Sequence, residues 1–169
     1  NERVQRFFNA IAPAESGDVP EEGKNSFNVM MAPFGESAPF SLKKPYSRVT
    51  SVKTEIECVK PVVIESHAMV DGITFTSNRA LKSEMIVVNG GIAMFRNCTF
   101  VITEETDFGS CVKVNQPGKA LFNGCYFVRQ ATEEPNAVNS AAVADAFVVG
   151  CVATGYTSYG TVVALGSFV

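Results

Sequence analysis

Apolar residues return along this chain in a fixed figure. Alanine, one variable residue and a larger apolar residue stand at 68–70 (AMV), 93–95 (AMF), 120–122 (ALF) and 146–148 (AFV). Ile73, Cys98, Cys125 and Cys151 follow three positions after the larger residue, and Phe75, Phe100, Phe127 and Ala153 two positions after that. The steps between copies are 25, 27 and 26 residues. A repeat of this length marks stacked supersecondary units, each of which buries its apolar face only against the next.

The parity of the figure defines its geometry. In A-x-F the two apolar side chains lie on one face of a strand, and C-x-F does the same for a second strand. The interval joining them is three rather than two. A slip of one residue would turn the second strand inside out unless the backbone bends there. Gly72, Asn97, Gly124 and Gly150 occupy the position just before the central column. Glycine and asparagine are the residue types that accept φ > 0, as such a bend requires. Each copy therefore reads as strand, sharp bend, strand, with both inner faces turned to one interior. The structural columns are Ala68, Ala93, Ala120 and Ala146; Cys98, Cys125 and Cys151; and Phe75, Phe100 and Phe127.

A third strand is expected upstream in each copy, within 58–66, 85–91, 111–118 and 141–146. Met85, Cys111 and Ala141 are expected in one column, with Cys58 one turn earlier. The pairs Val88–Asn89 and Val114–Asn115 are expected to stack. Three strands per repeat predict an all-β fold, a right-handed parallel β-helix of about four to five short coils. The handedness rests on the general preference of crossover connections. Residues 77–84, 104–110 and 131–140 are expected to leave the coils as polar surface loops.

The beginning of the chain follows other rules. Val4, Phe7, Phe8 and Ile11 recur at helical spacing and predict a short amphipathic helix over 2–11. A Pro-, Gly- and acid-rich stretch follows. Residues 27–46 are apolar but broken by Pro33, Pro39 and Pro45, which excludes a long helix or a central strand. The expected organisation is an N-terminal helix and extended arm or cap over 1–54, then a β-helix domain over 55–169. Capping a solenoid end and clasping a neighbouring subunit are the two roles open to the arm. The chain opens on Asn1, so at least a start methionine is expected upstream or removed.

Composition narrows the function classes. Apolar residues make up 46% of the chain and charged residues 18%, below the usual quarter, which favours an oligomer with apolar surface to cover. The net charge of -3 gives no basic footprint for nucleic acid. No apolar run approaches the roughly 18 to 20 residues that cross a bilayer. The five cysteines include no CxxC pair, and His67 is the one histidine. The cysteines are thus expected as buried thiols rather than metal ligands or disulfides, and neither cofactor nor metal is expected.

Catalysis on glycans would need two carboxylates facing each other at roughly 5 to 9.5 Å. The acids in or near the coils are Glu65, Asp71, Glu84, Asp107 and Asp145. Asp71 stacks on Arg96 in the repeat and is expected to form an ion pair; Asp145 has no acid in its column. No catalytic residue is assigned. Phe108, Tyr126, Tyr156 and Tyr159 are candidates for outer or intersubunit contacts, and His67 is expected to point outward at a corner.

The columns A-x-F-x-[GN]-C-x-F resemble the short β-helix modules of bacteriophage virion proteins over about residues 55–169. The resemblance implies a non-enzymatic structural protein of a virion. It would be a trimeric capsid decoration protein, or a component of a tail fibre or tailspike. Its partners would be further copies of itself, other virion proteins such as the major capsid protein, and host glycan at the outer loops. Polysaccharide-cleaving enzymes share the architecture, so a depolymerase or a host-glycan-binding receptor protein is the alternative. Those enzymes have many more coils.

Overall fold

The computed structural model describes residues 27–30, 41–42 and 47–169, residue 107 excepted, with side chains from Glu55 onward. The helix expected over 2–11, and Pro33, Pro39 and Pro45 of the arm, lie outside the described residues.

In chain order, β1 (Phe27–Met30) and β2 (Ser41–Leu42) come first. They are followed by β3 (Ser47–Cys58) with β4 (Val62–Ile64), and β5 (Ala68–Ser77) with β6 (Ile86–Val88). The next turn carries β7 (Ile92–Arg96), β8 (Thr99–Ile102) and β9 (Val112–Val114). Then come β10 (Lys119–Asn123), β11 (Tyr126–Arg129), β12 (Glu134–Asn136) and β13 (Val138–Ser140). A single turn of 3-10 helix, Val143–Asp145, leads to β14 (Ala146–Val149), β15 (Val152–Thr154), β16 (Tyr156–Ser158) and β17 (Val163–Leu165).

All of these strands pair in parallel, each with the equivalent strand one turn away. A 5-stranded sheet runs in the order β13-β9-β6-β4-β2, and a 10-stranded sheet wraps the other two sides. The result is a parallel β-solenoid of about 4 turns. With a rise of about 4.8 Å per turn, the stack stands roughly 20 Å tall.

Ala68 pairs with Ala93, Ala93 with Ala120 and Ala120 with Ala146, and all four are buried. Phe75, Phe100, Phe127 and Ala153 are likewise in register. Tyr126 N donates to Cys98 O (2.9 Å) and Val152 N to Cys125 O (3.1 Å), which stacks Cys98, Cys125 and Cys151 on successive turns. The bends sit between the two columns, with φ of 72° at Gly72, 51° at Asn97, 63° at Gly124 and 60° at Gly150. A positive φ at each of these positions cancels the parity slip, so both strands of a turn bury their apolar faces in the same interior.

The interior is a zipper of aromatic rings. Phe75 stacks on Phe100 (5.5 Å) and Phe100 on Phe127 (5.0 Å); Phe95 stacks on Phe122 (5.1 Å). Edge-to-face contacts join the two columns, as between Phe100 and Phe122 at 5.9 Å. The adjoining alanines leave room for these rings. All five cysteines are buried and unbridged.

The third side differs from expectation at both ends. The fourth copy of the third strand is β13 at Val138–Ser140, not 141–146, because Val112 pairs with Val138. Cys111 N donates to Ala137 O at 2.9 Å, so the column runs Met85, Cys111, Ala137 rather than to Ala141. Ala141 is exposed in the turn that follows. Cys58 lies outside that column as well, since it ends β3 opposite Ser77. Residues 131–140 are accordingly not an excursion, and they supply two strands. The ladder also reaches upstream of residue 55, because β3 begins at Ser47 and pairs with β1. Within the apolar arm, β1 and β2 each pair on one side only among the described residues, as edge strands do.

Candidate functional site

The outer surface and the longer connections are where binding chemistry would sit. The polar groups there are tied into the ladder. Asp71 Oδ2 accepts from Arg96 Nη2 at 2.7 Å across one turn, between outward positions of β5 and β7. Asp145 is buried, takes an ion pair from Lys119 Nζ at 3.2 Å and accepts from Gln116 Nε2 at 3.3 Å. Glu84, also buried, accepts from Asn139 Nδ2 at 2.9 Å. A buried carboxylate held this way is a fixed part of the frame, because stripping away its donor leaves an uncompensated charge. Glu65 is exposed, and Asp107 lies outside the described residues.

Two of the connections keep Arg79, Lys82, Glu104 and Glu105 exposed, as surface loops do, but send single side chains inward. Leu81 is buried and packs with the main core. Ser77 and Thr106 hydroxyls meet at 2.7 Å, Thr103 joins them, and Thr103 N donates to Ser77 Oγ at 2.9 Å. Arg129 is buried and holds the 104–110 and 131–140 segments together. Its Nη1 donates to Phe108 O (2.6 Å), its Nε to Thr132 O (2.9 Å), and Glu134 Oε1 lies 3.8 Å from Nη2.

The four aromatic candidates separate. Tyr126 is 40% exposed, outward between Cys125 and Phe127, and Phe108 is half-buried. Tyr156 and Tyr159 are buried, against the expectation of outer contacts. The Tyr156 hydroxyl donates to Gly109 O (2.9 Å) and lies 3.0 Å from Cys111 Sγ. The Tyr159 hydroxyl donates to Phe168 O at 2.7 Å while its ring meets Phe127 edge-on. Both belong to the shortened last turn, where the repeat no longer dictates which way a side chain points. His67 is exposed at a corner and accepts from Ile92 N at 3.1 Å.

Two of the buried thiols are held in the protonated form. Burial pushes Cys111 up to about 12, against smaller lowering by the Tyr156 hydroxyl and the Arg129 charge. Burial, assisted by the Glu57 charge, also raises Cys58. A thiol held protonated is neither a nucleophile nor a metal ligand. Among the described residues, no group of three or more His, Cys, Asp or Glu side chains is placed to hold a metal ion. The asparagine stack forms as expected, with Asn115 Nδ2 donating to Asn89 Oδ1 at 2.9 Å.

Fold and surface together define a short parallel β-solenoid protein with a buried aromatic core and cross-turn polar pairs on its flanks. Comparison with known proteins gives no matching family model, no matching curated protein and no matching solved structure.

Proposed function

We propose that this chain is a non-enzymatic structural protein of a bacteriophage virion, a trimeric decoration of the capsid surface or a part of a tail fibre or spike. One observation carries the reading. The Cys98–Cys125–Cys151 column and the Phe columns run through successive turns, while charged groups are spent on cross-turn ties such as Asp71–Arg96 and Lys119–Asp145. That arrangement makes a stiff prism. Stiffness is what a particle component needs, since its role is to hold position and present a surface. Apolar outward residues, described below, supply the surface for further copies.

The test is location. An antibody against this chain, applied to purified particles from a host culture carrying the gene, is expected to label shell or tail. Label confined to cell debris would exclude the reading. The same protein incubated with capsular or lipopolysaccharide glycans is expected to release no new reducing ends; turnover that survives repurification would make it a depolymerase.

A second reading is host-glycan binding. It is favoured by Tyr126 and Val152, both 40% exposed and paired side by side, with Phe168 bridged to Val152 and 71% exposed. Exposed aromatic faces suit the apolar faces of sugar rings. Retention on immobilised host glycans, lost in Tyr126→Ala, would support it.

A further inference from the structure

The outward side chains of one sheet form a continuous apolar line. Met69, Met94, Leu121, Phe147 and Val163 stand in register on successive turns of β5, β7, β10, β14 and β17. In β5, β7, β10 and β14 they alternate with buried core residues, so they point away from the interior. The line is one column wide for most of its height. Lys119 and His67 flank it upstream, with Ile92 between them; Asp71, Arg96 and Asn123 flank it downstream. Towards the C-terminal end it widens, where Phe147 is 37%, Val143 52% and Leu165 57% exposed. An apolar strip with a polar rim is the anatomy of a protein contact.

We infer that this strip is the seam between copies of the chain, packed with their solenoid axes parallel and equal turns at equal heights. The inference rests on the oligomeric part of the function proposed above and assigns its surface. Spacing argues for a second copy as the occupant. The strip repeats about every 4.8 Å, and a parallel copy repeats identically, so every level is matched. A helix, with a pitch of about 5.4 Å, drifts out of step by more than half an ångström per level. Charge argues for the same arrangement. Around an axis parallel to the solenoid, the upstream flank of one copy faces the downstream flank of the next. His67 then lies by Asp71, Ile92 by Arg96, and Lys119 by Asn123, so no level from β5 to β10 sets like charge against like; one turn before β5 the apolar column ends at Arg48, in register with Met69. An antiparallel two-fold centred at Met94 would set Arg96 against its own copy.

Cysteine crosslinking tests this, because identical residues meet across such an axis and the five native thiols are buried. Leu121→Cys, Val87→Cys and Val128→Cys place one outward thiol on each of the three sides. Oxidation with diamide is expected to link most L121C chains into a disulfide dimer on a non-reducing gel, and to leave V87C and V128C unlinked. Crosslinking of V87C or V128C instead, in a protein that light scattering shows to be oligomeric, would overturn the seam and leave the oligomer standing. A monomeric wild type at all concentrations would overturn both. Leu121→Glu provides the converse, since its position faces outward. With an unchanged circular dichroism spectrum, its mass is expected to fall from three chains to one; an unchanged mass would sink the seam.

Discussion

Phe95 and Phe122 lie face to face one turn apart, their ring centroids 5.1 Å from each other and their planes within 8°. Each ring also meets Phe100 edge-on. Offset stacking along a column and edge contacts between columns add roughly 0.5 to 1.5 kcal/mol per pair beyond simple burial. The chain thus converts one repeated residue choice into a ladder of ring contacts between successive turns. The stack is rigid because each ring is held from above, below and beside.

The alanines beside that ladder, two residues before Phe95 and Phe122 on the same strand face, set its clearance. Ala120 is buried between Ala93 and Ala146. Ala120→Leu is expected to overpack the interior and destabilise by about 1 to 3 kcal/mol. Urea denaturation followed by circular dichroism measures it; an unchanged midpoint would remove this column from the core.

The bend column carries backbone strain for any residue with a Cβ. Gly124 has φ of 63°, and a Cβ there would stand 3.0 Å from Asn97 Oδ1. Gly124→Ala is expected to cost about 1 to 2 kcal/mol. Asn97→Gly, at φ of 51°, relieves strain and should leave the urea midpoint nearly where it was. The reverse order of effects would show that the turn does not depend on a left-handed residue.

Tyr156 ties the last turn to the third side. Tyr156→Phe keeps the ring but removes the hydroxyl that serves Gly109 O and Cys111 Sγ. The expected loss is about 0.5 to 1.5 kcal/mol in thermal or urea unfolding. Faster deuterium uptake at the amides of 109–111 should accompany it. No change in either would mean that the hydroxyl is replaced by water.

The thiols predict an alkaline limit to stability. Cys111 is raised from 9.0 to about 12 in the folded protein. Between those values the unfolded chain has lost a proton that the folded chain keeps. Stability from this group is therefore complete below pH about 9 and is lost as pH climbs towards 12, by about 1.4 kcal/mol per unit. Urea midpoints measured from pH 7 to 10.5 should be level at first and fall above about 9. Cys111→Ala should make that fall less steep without abolishing it, because the raised Cys58 thiol still contributes, and an equally steep fall in the variant would show that the Cys111 thiol does not contribute.

Much of this architecture was legible in the residues alone. The alanine, cysteine and phenylalanine columns are periodic, and strand parity is a local property, so spacing by itself assigned the inner face. The left-handed bends at Gly72, Asn97, Gly124 and Gly150 followed from a parity slip that only a kink can repair. The Asp71–Arg96 ion pair followed from the same register, since outward residues of equal phase must stack. These features need no knowledge of what lies across the interior.

Tertiary structure alone decided the rest. Tyr156 reaches Cys111 across 45 residues, and Glu84 is met by Asn139 across 55. Both partnerships depend on which turns stand next to each other. The third strand of the fourth turn moved from 141–146 to Val138–Ser140 because connections of variable length hide the phase of the repeat. Burial of Arg129 and Asp145 was invisible for a related reason. A charged side chain is costly to enclose, and only the carbonyls and counter-charges delivered by neighbouring turns make it stable there. Period and parity are written locally in the chain, whereas long-range partners exist only once the turns have closed on one another.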